Sequence, residues 1–418
     1  MMRAGLAYLA LLALLPCALT AEAQVVDVDV LTHDTAVRSA LEMAKAREAR
    51  VIDDQIRFCE VPAPPFGEQA RGEVLRRAFE EAGLEHVRVD RIGNVLGDRR
   101  GTRVGPRLVV AAHLDTVFPE GTALKVTRQG SLLKGPGIGD NCRGLAVLVA
   151  IARVMNAAGV RTKGAVTFVA NVGEEGLGNL RGIRTLFDET LKGQVNRFVT
   201  IDNAGILIST VGVGSHRYRI SFKGPGGHSF AQFGLPNPAN ALGRAVAQIA
   251  DFDVPSEPLT TFNVGRIGGG TAVNAIPVDA WMEVDLRSSS PEALRVLDAR
   301  LQRAVDIAVQ DENTRWRRPG VVTATRTLVG DRPASFLPDN APLVQLARAV
   351  ARQIGVAPGG GESSSDANYP MSLGIPSITI GGGGRSEDSH TTTESFDTTD
   401  SWKGTQNAIL LTIALLQK

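Results

Sequence analysis

Residues 165–179 read "AVTFVANVGEEGLGN", an apolar run followed by two adjacent glutamates between glycines. The run "AVTFVA" has the length and the β-branched composition of a buried strand. On an exposed surface, two neighbouring like charges would be ordinary. Here Glu174 and Glu175 come where a strand leaves the core, so we ask whether other strands of the same sheet end in similar groups.

The segments around this stretch alternate between short apolar runs and amphipathic helical patterns. The apolar runs are "RLVVAA", "RFVTI" and "PSITIGG", and the helical segments include "GLAVLVAIARVMNAAG", "PLVQLARAVARQIG" and "TQNAILLTIALLQ". Strands that alternate with helices are typical of a parallel sheet covered on both faces. We therefore predict an α/β catalytic domain with a doubly wound, mainly parallel sheet.

The pattern changes between residues 209 and 331. Alternating strands "HRYRISFKG", "TTFNVGRIGG" and "AWMEVDLRS" surround the helices "PANALGRAVAQIA" and "PEALRVLDARLQRAVDIAV". This pattern predicts a smaller α+β domain at 209–331. It is inserted into the first domain, whose two parts would be residues 24–208 and 332–418.

Composition limits the classes of partner. The chain has 418 residues, of which 43% are hydrophobic, and its 45 Lys plus Arg nearly balance its 44 Asp plus Glu. A length above about 100–200 residues favours more than one domain. A net charge of +1 gives no indication of a polyanionic partner, so nucleic-acid binding is not predicted.

The first 23 residues have the features of a cleaved secretory signal: Arg3, a short apolar stretch and the small-residue pattern that ends at Ala23. We expect a secreted or periplasmic protein without a stable membrane anchor. Two alternatives are a retained N-terminal anchor and a lipoprotein attached at Cys17. After cleavage only Cys59 and Cys142 remain, and whether they form a disulfide is open.

Several predicted strands and loops of the first domain carry metal-ligating residue types. Ligands bind beyond the carboxyl ends of strands in open α/β sheets, so these side chains are expected at one edge. They are His113, Asp115, Asp140, Glu174, Glu175, Asp202 and His390. Imidazole nitrogen and carboxylate oxygen are ligands of zinc. The pattern predicts a metal centre.

Each residue also has a structural interpretation when it is taken alone. His113 could be a buried, hydrogen-bonded histidine, and His390 could be a solvated loop residue. Asp140 could cap the helix that follows it. Asp202 could form an Asx turn. The joint occurrence of all these residues at strand ends favours the metal centre.

Two divalent ions bridged by a carboxylate can activate water at neutral pH and polarise a carbonyl group. A nearby carboxylate that is not a ligand can accept the proton of that water and pass it to a leaving amine. Spacing alone does not decide which of Glu174 and Glu175 is the base.

The motifs together resemble the M20 family of metallopeptidases. They are "AAHLDTVFPEG", "GPGIGDNCRG", "NVGEEGLGN", "IDNAG", "GPGGHS", "GGTAVNAIP", "VDLRS" and the late "SH", and they occur in the family's order. The family includes glutamate carboxypeptidases, peptidase T-like aminotripeptidases, and acetylornithine and succinyl-diaminopimelate deacylases. The resemblance covers nearly the whole chain after residue 23.

The resemblance implies a role for each residue of the cluster. Glu174 would be the general base, and Asp115 would orient the imidazole of His113. Asp140 would bridge the two ions and precede a cis peptide bond to Asn141. The metal ligands would be His113, Asp140, Glu175, Asp202 and His390. The sequence departs from the commoner pattern at residues 391–393, where threonines replace a short acidic sequence.

The inserted domain resembles the family's dimerisation domain. In that family a histidine of the "GGHS" motif enters the partner subunit's active site, which here implies a catalytic role for His228 in a homodimer. The resemblance also implies that Asn274 and Arg287 bind the carbonyl or carboxylate group of the substrate.

We therefore predict a secreted hydrolase with two ions, most readily zinc, with cobalt or manganese as alternatives. It would act as an exopeptidase on small peptides, and the alternative is an N-acyl amino acid deacylase. A non-catalytic binding relative is disfavoured because every residue of the predicted site is present. A serine hydrolase is disfavoured because the sequence has no G-x-S-x-G motif.

Overall fold

The computed structural model describes residues 26–105, 107–316 and 318–417, so the predicted signal segment lies outside the described residues. The helices are α1 (Val28–His33), α2 (Thr35–Ala46), α3 (Glu48–Cys59), α4 (Gln69–Glu81), α5 (Cys142–Ala157), α6 (Arg181–Thr185), α7 (Pro238–Ala250), α8 (Pro291–Arg315), α9 (Pro342–Gln353), α10 (Asn368–Ser372) and α11 (Trp402–Leu416). A 3₁₀ turn covers Gly176–Gly178 and a π-helical turn covers Leu186–Thr190.

The strands form two large sheets and two small ones. They are β1 (Glu85–Val89), β2 (Val95–Arg99), β3 (Arg107–His113), β4 (Thr127–Gln129), β5 (Leu132–Lys134), β6 (Ala165–Asn171), β7 (Arg197–Ile201), β8 (Leu207–Gly212), β9 (Gly214–Lys223), β10 (Gly227–His228), β11 (Thr260–Gly269), β12 (Ala275–Ile276), β13 (Asp279–Ser288), β14 (Thr323–Arg332), β15 (Ser335–Phe336), β16 (Gly359–Ser363), β17 (Ser377–Ile380), β18 (Arg385–Glu387) and β19 (Ser395–Asp397).

The largest sheet has nine strands in the order β1-β2-β6-β3-β7-β17-β8-β15, with β16 also paired to β8. The central pairs, β6 with β3, β3 with β7 and β7 with β17, are parallel. Strands β1 and β2 at one margin and β15 at the other pair antiparallel. The predicted parallel arrangement therefore holds for the centre of the sheet, and the whole sheet is mixed.

Both faces of this sheet are covered. In β3, Leu108 and Val110 pack in the hydrophobic cluster that includes helices α5 and α11, whereas Val109 and Ala111 pack in the cluster on the opposite face. Successive strand side chains point to opposite faces, so a fully apolar run such as "RLVVAA" requires apolar layers on both sides. This alternation confirms the predicted doubly wound α/β class.

The inserted unit has a four-stranded antiparallel sheet in the order β11-β13-β9-β14. Helices α7 and α8 pack on one face of this sheet, around residues such as Ile220, Met282 and Leu301. The predicted α+β unit is present, but its expected limits need correction. Residues 207–212 belong to the large sheet, so the chain changes sheets at Val213 rather than at 209, and it leaves the second sheet after Arg332.

The two predicted thiols lie in one small hydrophobic cluster. Cys59 and Cys142 are both buried and free, and their side chains contact each other. The Cys59 thiol also donates a hydrogen bond to the carbonyl oxygen of Pro136 at 3.3 Å. The structure thus shows a thiol pair rather than a disulfide.

Within the described residues, no helix is both long enough and apolar enough to cross a bilayer.

A buried arginine connects the start of α5 to the C-terminal part of the chain. Arg143 has no exposed surface, and its Nε donates to the carbonyl oxygen of Gly382 at 2.7 Å. Its Nη2 donates to the carbonyl oxygen of Ser401, and its Nη1 forms an ion pair with Glu48 at 2.8 Å. This one side chain therefore fixes three separate segments near the carboxyl ends of the central strands.

We predict that Arg143→Ala destabilises the metal-free protein by about 3–5 kcal/mol, because it leaves the Glu48 carboxylate buried without its cation. The control is Arg295→Ala, which removes an ion pair to Glu292 whose side chains are 70% and 68% exposed. That change should cost less than about 1 kcal/mol. Urea unfolding followed by circular dichroism, in the presence of a chelator, measures both. Equal unfolding midpoints for the two variants would contradict the prediction.

Candidate metal centre and catalytic site

The carboxyl ends of three neighbouring parallel strands bring the predicted ligands together. His113 is the last residue of β3, Glu174 and Glu175 follow β6, and Asp202 follows β7. Asp140 lies in the loop before α5, and His390 lies in the loop between β18 and β19. All six side chains fall into three overlapping groups of potential metal-ligating atoms.

Asp140 is shared by two of these groups. Its Oδ1 lies 3.1 Å from Nε2 of His113, and its Oδ2 lies 3.0 Å from Nε2 of His390. His113 also approaches Asp202, at 3.8 Å, and His390 approaches Glu175, at 3.0 Å. The two oxygens of one carboxylate thus face two different sets of ligand atoms, which is the arrangement expected of a carboxylate that bridges two ions.

The charge balance of the cluster fits divalent cations. Asp140, Glu175 and Asp202 are largely buried around two histidines, and buried carboxylates require compensating positive charge. Hydrogen bonds to Asp140 and Glu175 raise the pKa of His390 to about 10. The carboxylates therefore draw protons onto the imidazole groups, and the mixed nitrogen and oxygen ligands are those that zinc accepts.

Asp115 has a different contact from the one that the resemblance implies. Its carboxylate oxygens accept hydrogen bonds from the backbone N–H groups of Glu174 at 3.0 Å and Glu175 at 2.8 Å. Its Oδ1 is 3.7 Å from Nδ1 of His113, which is too far for a hydrogen bond. The Asp115 carboxylate therefore positions the glutamate turn, and its predicted role in orienting the imidazole stays a prediction.

A backbone carbonyl group contacts the imidazole of His113 directly. Its Nδ1 lies 3.0 Å from the carbonyl oxygen of Asp115, which can only accept a hydrogen bond. When a metal ion is bound, a neutral imidazole with its proton on Nδ1 would direct the lone pair of Nε2 toward that ion, on the side of Asp140 and Asp202. The geometry thus selects the tautomer that a metal-ligating histidine needs.

Glu174 differs from Glu175 in its partner. Its Oε1 accepts a hydrogen bond from Nη1 of Arg332 at 2.8 Å, and both side chains are 5% exposed. Arg332 also donates to the backbone carbonyl oxygen of Glu174 and to Oγ of Ser364. Burial raises the pKa of the Glu174 carboxyl, and the Arg332 guanidinium opposes that shift. Arg332 lies outside every recognised motif and was not predicted from the sequence.

A cavity of about 260 Å³ opens onto the cluster and carries three guanidinium groups. They belong to the predicted Arg287, to Arg332 and to Arg217, which the sequence analysis also missed. Arg287 and Arg217 both contact the carboxylate of Asp285, at 2.7 and 3.3 Å. The cavity thus combines carboxylates from the first domain with arginines of the second sheet.

His228 and Asn274 do not line this cavity within the single chain. Both are exposed, and they lie at the short β10–β12 pair, where the Ser229 N–H donates to the Asn274 carbonyl oxygen at 3.0 Å. Nδ1 of His228 accepts hydrogen bonds from the backbone N–H groups of Phe230 and Ala231. Their predicted roles therefore stay predictions that require a second subunit.

The helix cap proposed as the alternative role of Asp140 belongs to its neighbour. Oδ1 of Asn141 accepts a hydrogen bond from the backbone N–H of Gly144 at 3.1 Å, in the first turn of α5. The peptide bond between Asp140 and Asn141 is cis, as the resemblance implies. Because Asn141 caps the helix, the Asp140 carboxylate is left for the cluster.

Glu394 holds the Asp140 loop through backbone hydrogen bonds, and this role was not predicted from the sequence. Its Oε1 accepts hydrogen bonds from the backbone N–H groups of Gly139 at 2.8 Å and Asp140 at 3.0 Å. Its Oε2 accepts from the N–H of Gly137 at 2.9 Å. This acidic residue comes directly after the threonines at 391–393, so an acidic group does follow His390 at short spacing.

We predict that Glu394→Gln weakens zinc binding by about 10–100-fold, the usual loss when a residue that orients a metal ligand is changed. The glutamine amide group would face an N–H donor of the loop, so Asp140 would lose its fixed position. Isothermal titration calorimetry of the metal-free protein with zinc measures the effect. Glu387→Gln, an exposed change on β18, is the control, and equal dissociation constants for both variants would contradict the prediction.

Comparison with known proteins agrees with this geometry. Residues 109–413 match the profile of peptidase family M20/M25/M40. The chain is 27% identical over 271 residues to succinyl-diaminopimelate desuccinylase of Nitrosospira multiformis, covering 59% of this chain and 70% of that protein. It is 27% identical over 254 residues to carboxypeptidase G2 of a Pseudomonas species, covering 57% and 60%.

A solved structure shows the same fold. The aminopeptidase PepT of Bacillus cereus superposes with a TM-score of 0.71 at 22% identity, covering 88% of this chain and 99% of that one. The family match spans most of the chain, and it includes every strand end that contributes to the metal-ligating cluster. The chain therefore belongs to peptidase family M20/M25/M40 and is a metallopeptidase or amidohydrolase of that family.

Proposed function

We propose that the protein hydrolyses the terminal peptide bond of small peptides, using two divalent ions and Glu174 as the general base. The observation that carries the proposal is the position of Asp140, whose two oxygens face the ligand set of His113 and Asp202 and that of Glu175 and His390. Zinc is the ion we propose, and cobalt and manganese are the alternatives because mixed nitrogen and oxygen ligands accept several metals.

Different residues of the chain would hold the ions, transfer the proton and position the base during hydrolysis. When bound, the ions would supply Lewis acidity, lowering the pKa of water and polarising the substrate carbonyl. Oε1 of Glu174 is engaged by Arg332, which leaves Oε2 to accept a proton from water and to deliver it to the leaving nitrogen. The Asp115 carboxylate fixes the backbone of this glutamate, so the base keeps its position during the transfer.

The arginines of the second sheet support a substrate that carries a carboxylate. A guanidinium binds a carboxylate through two parallel hydrogen bonds. Arg287 lies in the cavity wall and is 39% exposed, so it is accessible to a ligand although it also contacts Asp285. Both peptides and N-acyl amino acids end in such a group.

The second candidate activity is N-acyl amino acid deacylation. It is favoured by the similarity to a succinyl-diaminopimelate desuccinylase, just as the similarity to a carboxypeptidase favours peptide hydrolysis. Both reactions break an amide bond beside a carboxylate-bearing residue, so the same site would serve either. A non-catalytic binding role is disfavoured because the proposed base and ligands are all present and brought together.

We also propose that the protein acts as a homodimer in which His228 and Asn274 complete the partner's site. In support, the loop beside His228 carries Phe230 and Phe233, which are 88% and 66% exposed. Large exposed aromatic side chains are typical of protein–protein interfaces. Aimed at the substrate carbonyl, the histidine would stabilise the negative charge that develops on its oxygen.

Export is the third part of the proposal. It rests on residues 1–23, whose charged start, apolar stretch and final small residues are typical of a cleaved signal. A secreted or periplasmic location would give the enzyme access to peptides outside the cytoplasm.

The general-base assignment predicts opposite effects for the two adjacent glutamates. Glu174→Gln should keep both ions and lower kcat by about 10²–10⁴-fold, because an amide cannot accept the proton. Glu175→Gln should instead weaken the binding of one ion. Metal content by plasma mass spectrometry and turnover of a mixed dipeptide and N-acyl amino acid library measure both effects. If the metal loss and the turnover loss are exchanged between the variants, the two roles are reversed.

The dimer proposal predicts complementation between two inactive chains. A heterodimer of Glu174→Gln and His228→Ala subunits would contain one site with an intact base and an intact histidine. Activity should return to about half that of the wild-type dimer, whereas each variant alone stays inactive. Native mass spectrometry verifies that heterodimers form. Heterodimers without activity would show that His228 does not act across the interface.

The export proposal predicts the start of the mature chain. Expression of the full sequence in a bacterium with a periplasm should yield a processed protein that begins near Gln24, as determined by N-terminal sequencing. A matched variant with Ala21→Arg and Ala23→Arg should remain unprocessed. A wild-type chain that keeps Met1 or Met2 in the cytoplasm would refute export.

A further inference from the structure

A second cavity of about 510 Å³ lies between loops of the first domain and the four-stranded sheet of the inserted unit, and it shares Arg217 with the cavity at the candidate site. On the first domain its wall is formed by Phe66 and Leu177, and on the second sheet by residues that include Arg217, Val284 and Val329. Its volume is within the range of about 300–1,000 Å³ that is usual for small-molecule sites. The proposed hydrolysis does not use this cavity.

Arg217 joins this cavity to the site. It lines both cavities, and its Nη1 donates a hydrogen bond to the carbonyl oxygen of Gly176 at 2.8 Å. Gly176 comes directly after the proposed ligand Glu175 and directly before Leu177. The two cavities therefore meet at Arg217, next to the turn that carries the proposed ligand Glu175.

The first-domain wall consists of apolar side chains that are open to this space. Phe66 and Leu177 are 59% and 63% exposed, although both are large and hydrophobic. Exposed apolar side chains that converge on one concavity indicate a binding surface, because covering them removes apolar area from water.

Phe66 has an uncommon backbone conformation and two local contacts. Its backbone has φ of 66°, a left-handed conformation that is uncommon for an aromatic residue. The Phe66 N–H donates to Oε1 of Glu68 at 3.2 Å, and the guanidinium of Arg181 lies 4.5 Å from the ring centroid. Unusual backbone conformations of this kind persist only where surrounding contacts impose them, and they concentrate at ligand sites.

The charged side chains in the wall are already paired. Arg266 contacts Glu283 at 2.9 Å, and Arg217 contacts Asp285 at 3.3 Å. A charged substituent would meet charged groups that are already paired with one another, whereas an apolar substituent would contact Phe66, Leu177 and Val329. The chemistry of the wall therefore favours an apolar ligand group.

We infer that this cavity is a specificity subsite that binds a large apolar group of the substrate, an aromatic or long aliphatic substituent next to the scissile amide. This inference rests on the proposed amide hydrolysis and names the substrate class within it. N-acyl amino acids and dipeptides with a bulky apolar group would be preferred over their small counterparts.

The test compares three probes on the zinc-loaded enzyme: N-acetylalanine, N-octanoylalanine and N-acetylphenylalanine. At least one large probe should exceed N-acetylalanine in kcat/KM by about tenfold or more, the discrimination expected of an apolar pocket. Leu177→Trp fills the cavity and should abolish that preference, and Phe66→Ala should lower it by roughly tenfold. Phe336→Ala is the control, because Phe336 is exposed to a similar degree, 64%, and lies outside the cavity.

Binding measurements separate this inference from the proposed reaction. Calorimetry with zinc-loaded Glu174→Gln protein gives the affinity of each probe without turnover. Tighter binding of a large probe that is lost in Leu177→Trp supports the subsite even if no probe is hydrolysed, in which case only the proposed reaction fails. Equal affinity and equal kcat/KM for large and small probes, or a preference that Leu177→Trp leaves intact, would overturn the subsite.

Discussion

The position of one carboxylate, that of Asp140, constrains the whole site. Its two oxygens must face histidines that are separated by 277 residues of sequence, as the difference 390 − 113 gives. Three backbone hydrogen bonds from its loop to Glu394 and the cap that Asn141 places on α5 hold it there. The early and late parts of the chain must therefore both be folded before the cluster can form.

This constraint explains why buried charge is concentrated at one edge of the sheet. Carboxylates and guanidiniums are costly to bury unless they are paired or bind metal. Glu174 is paired with Arg332, and Arg143 is paired with Glu48. Asp140 and Asp202 instead face the imidazole of His113, and Asp140 also faces the imidazole of His390. In the absence of metal these carboxylates are balanced by protons on the histidines, and divalent ions would take the place of those protons.

The sequence predicted those features that depend on local pattern. Hydrophobic periodicity and flanking glycines predicted the strand "RLVVAA", the helix after Asn141 and the glutamates after "AVTFVA". Because the carboxyl ends of parallel strands lie at the same edge of a sheet, the pattern also predicted that these groups would meet. Arg332 and Glu394 were missed because their roles depend on contacts with residues 158 and 254–257 positions away, which no local pattern records. The predicted boundary at 209 falls inside β8. Strands β8 and β9 are separated by Val213 alone, so no loop or change of hydrophobic pattern marks the point where the chain passes from one sheet to the other.

The contacts of the second sheet with the glutamate turn connect catalysis to domain arrangement. Arg332 lies at the end of β14 and binds Glu174, while Arg217 lies on β9 and binds the carbonyl oxygen of Gly176. Asp331 adds a third connection, because its N–H donates to Oδ1 of Asn179 at 2.8 Å. Any rotation that separates the sheets must break these bonds and remove the counter-ion of the base. The inserted domain thus does more than cover the cavity, since its arginines set the electrostatic environment in which Glu174 would accept a proton.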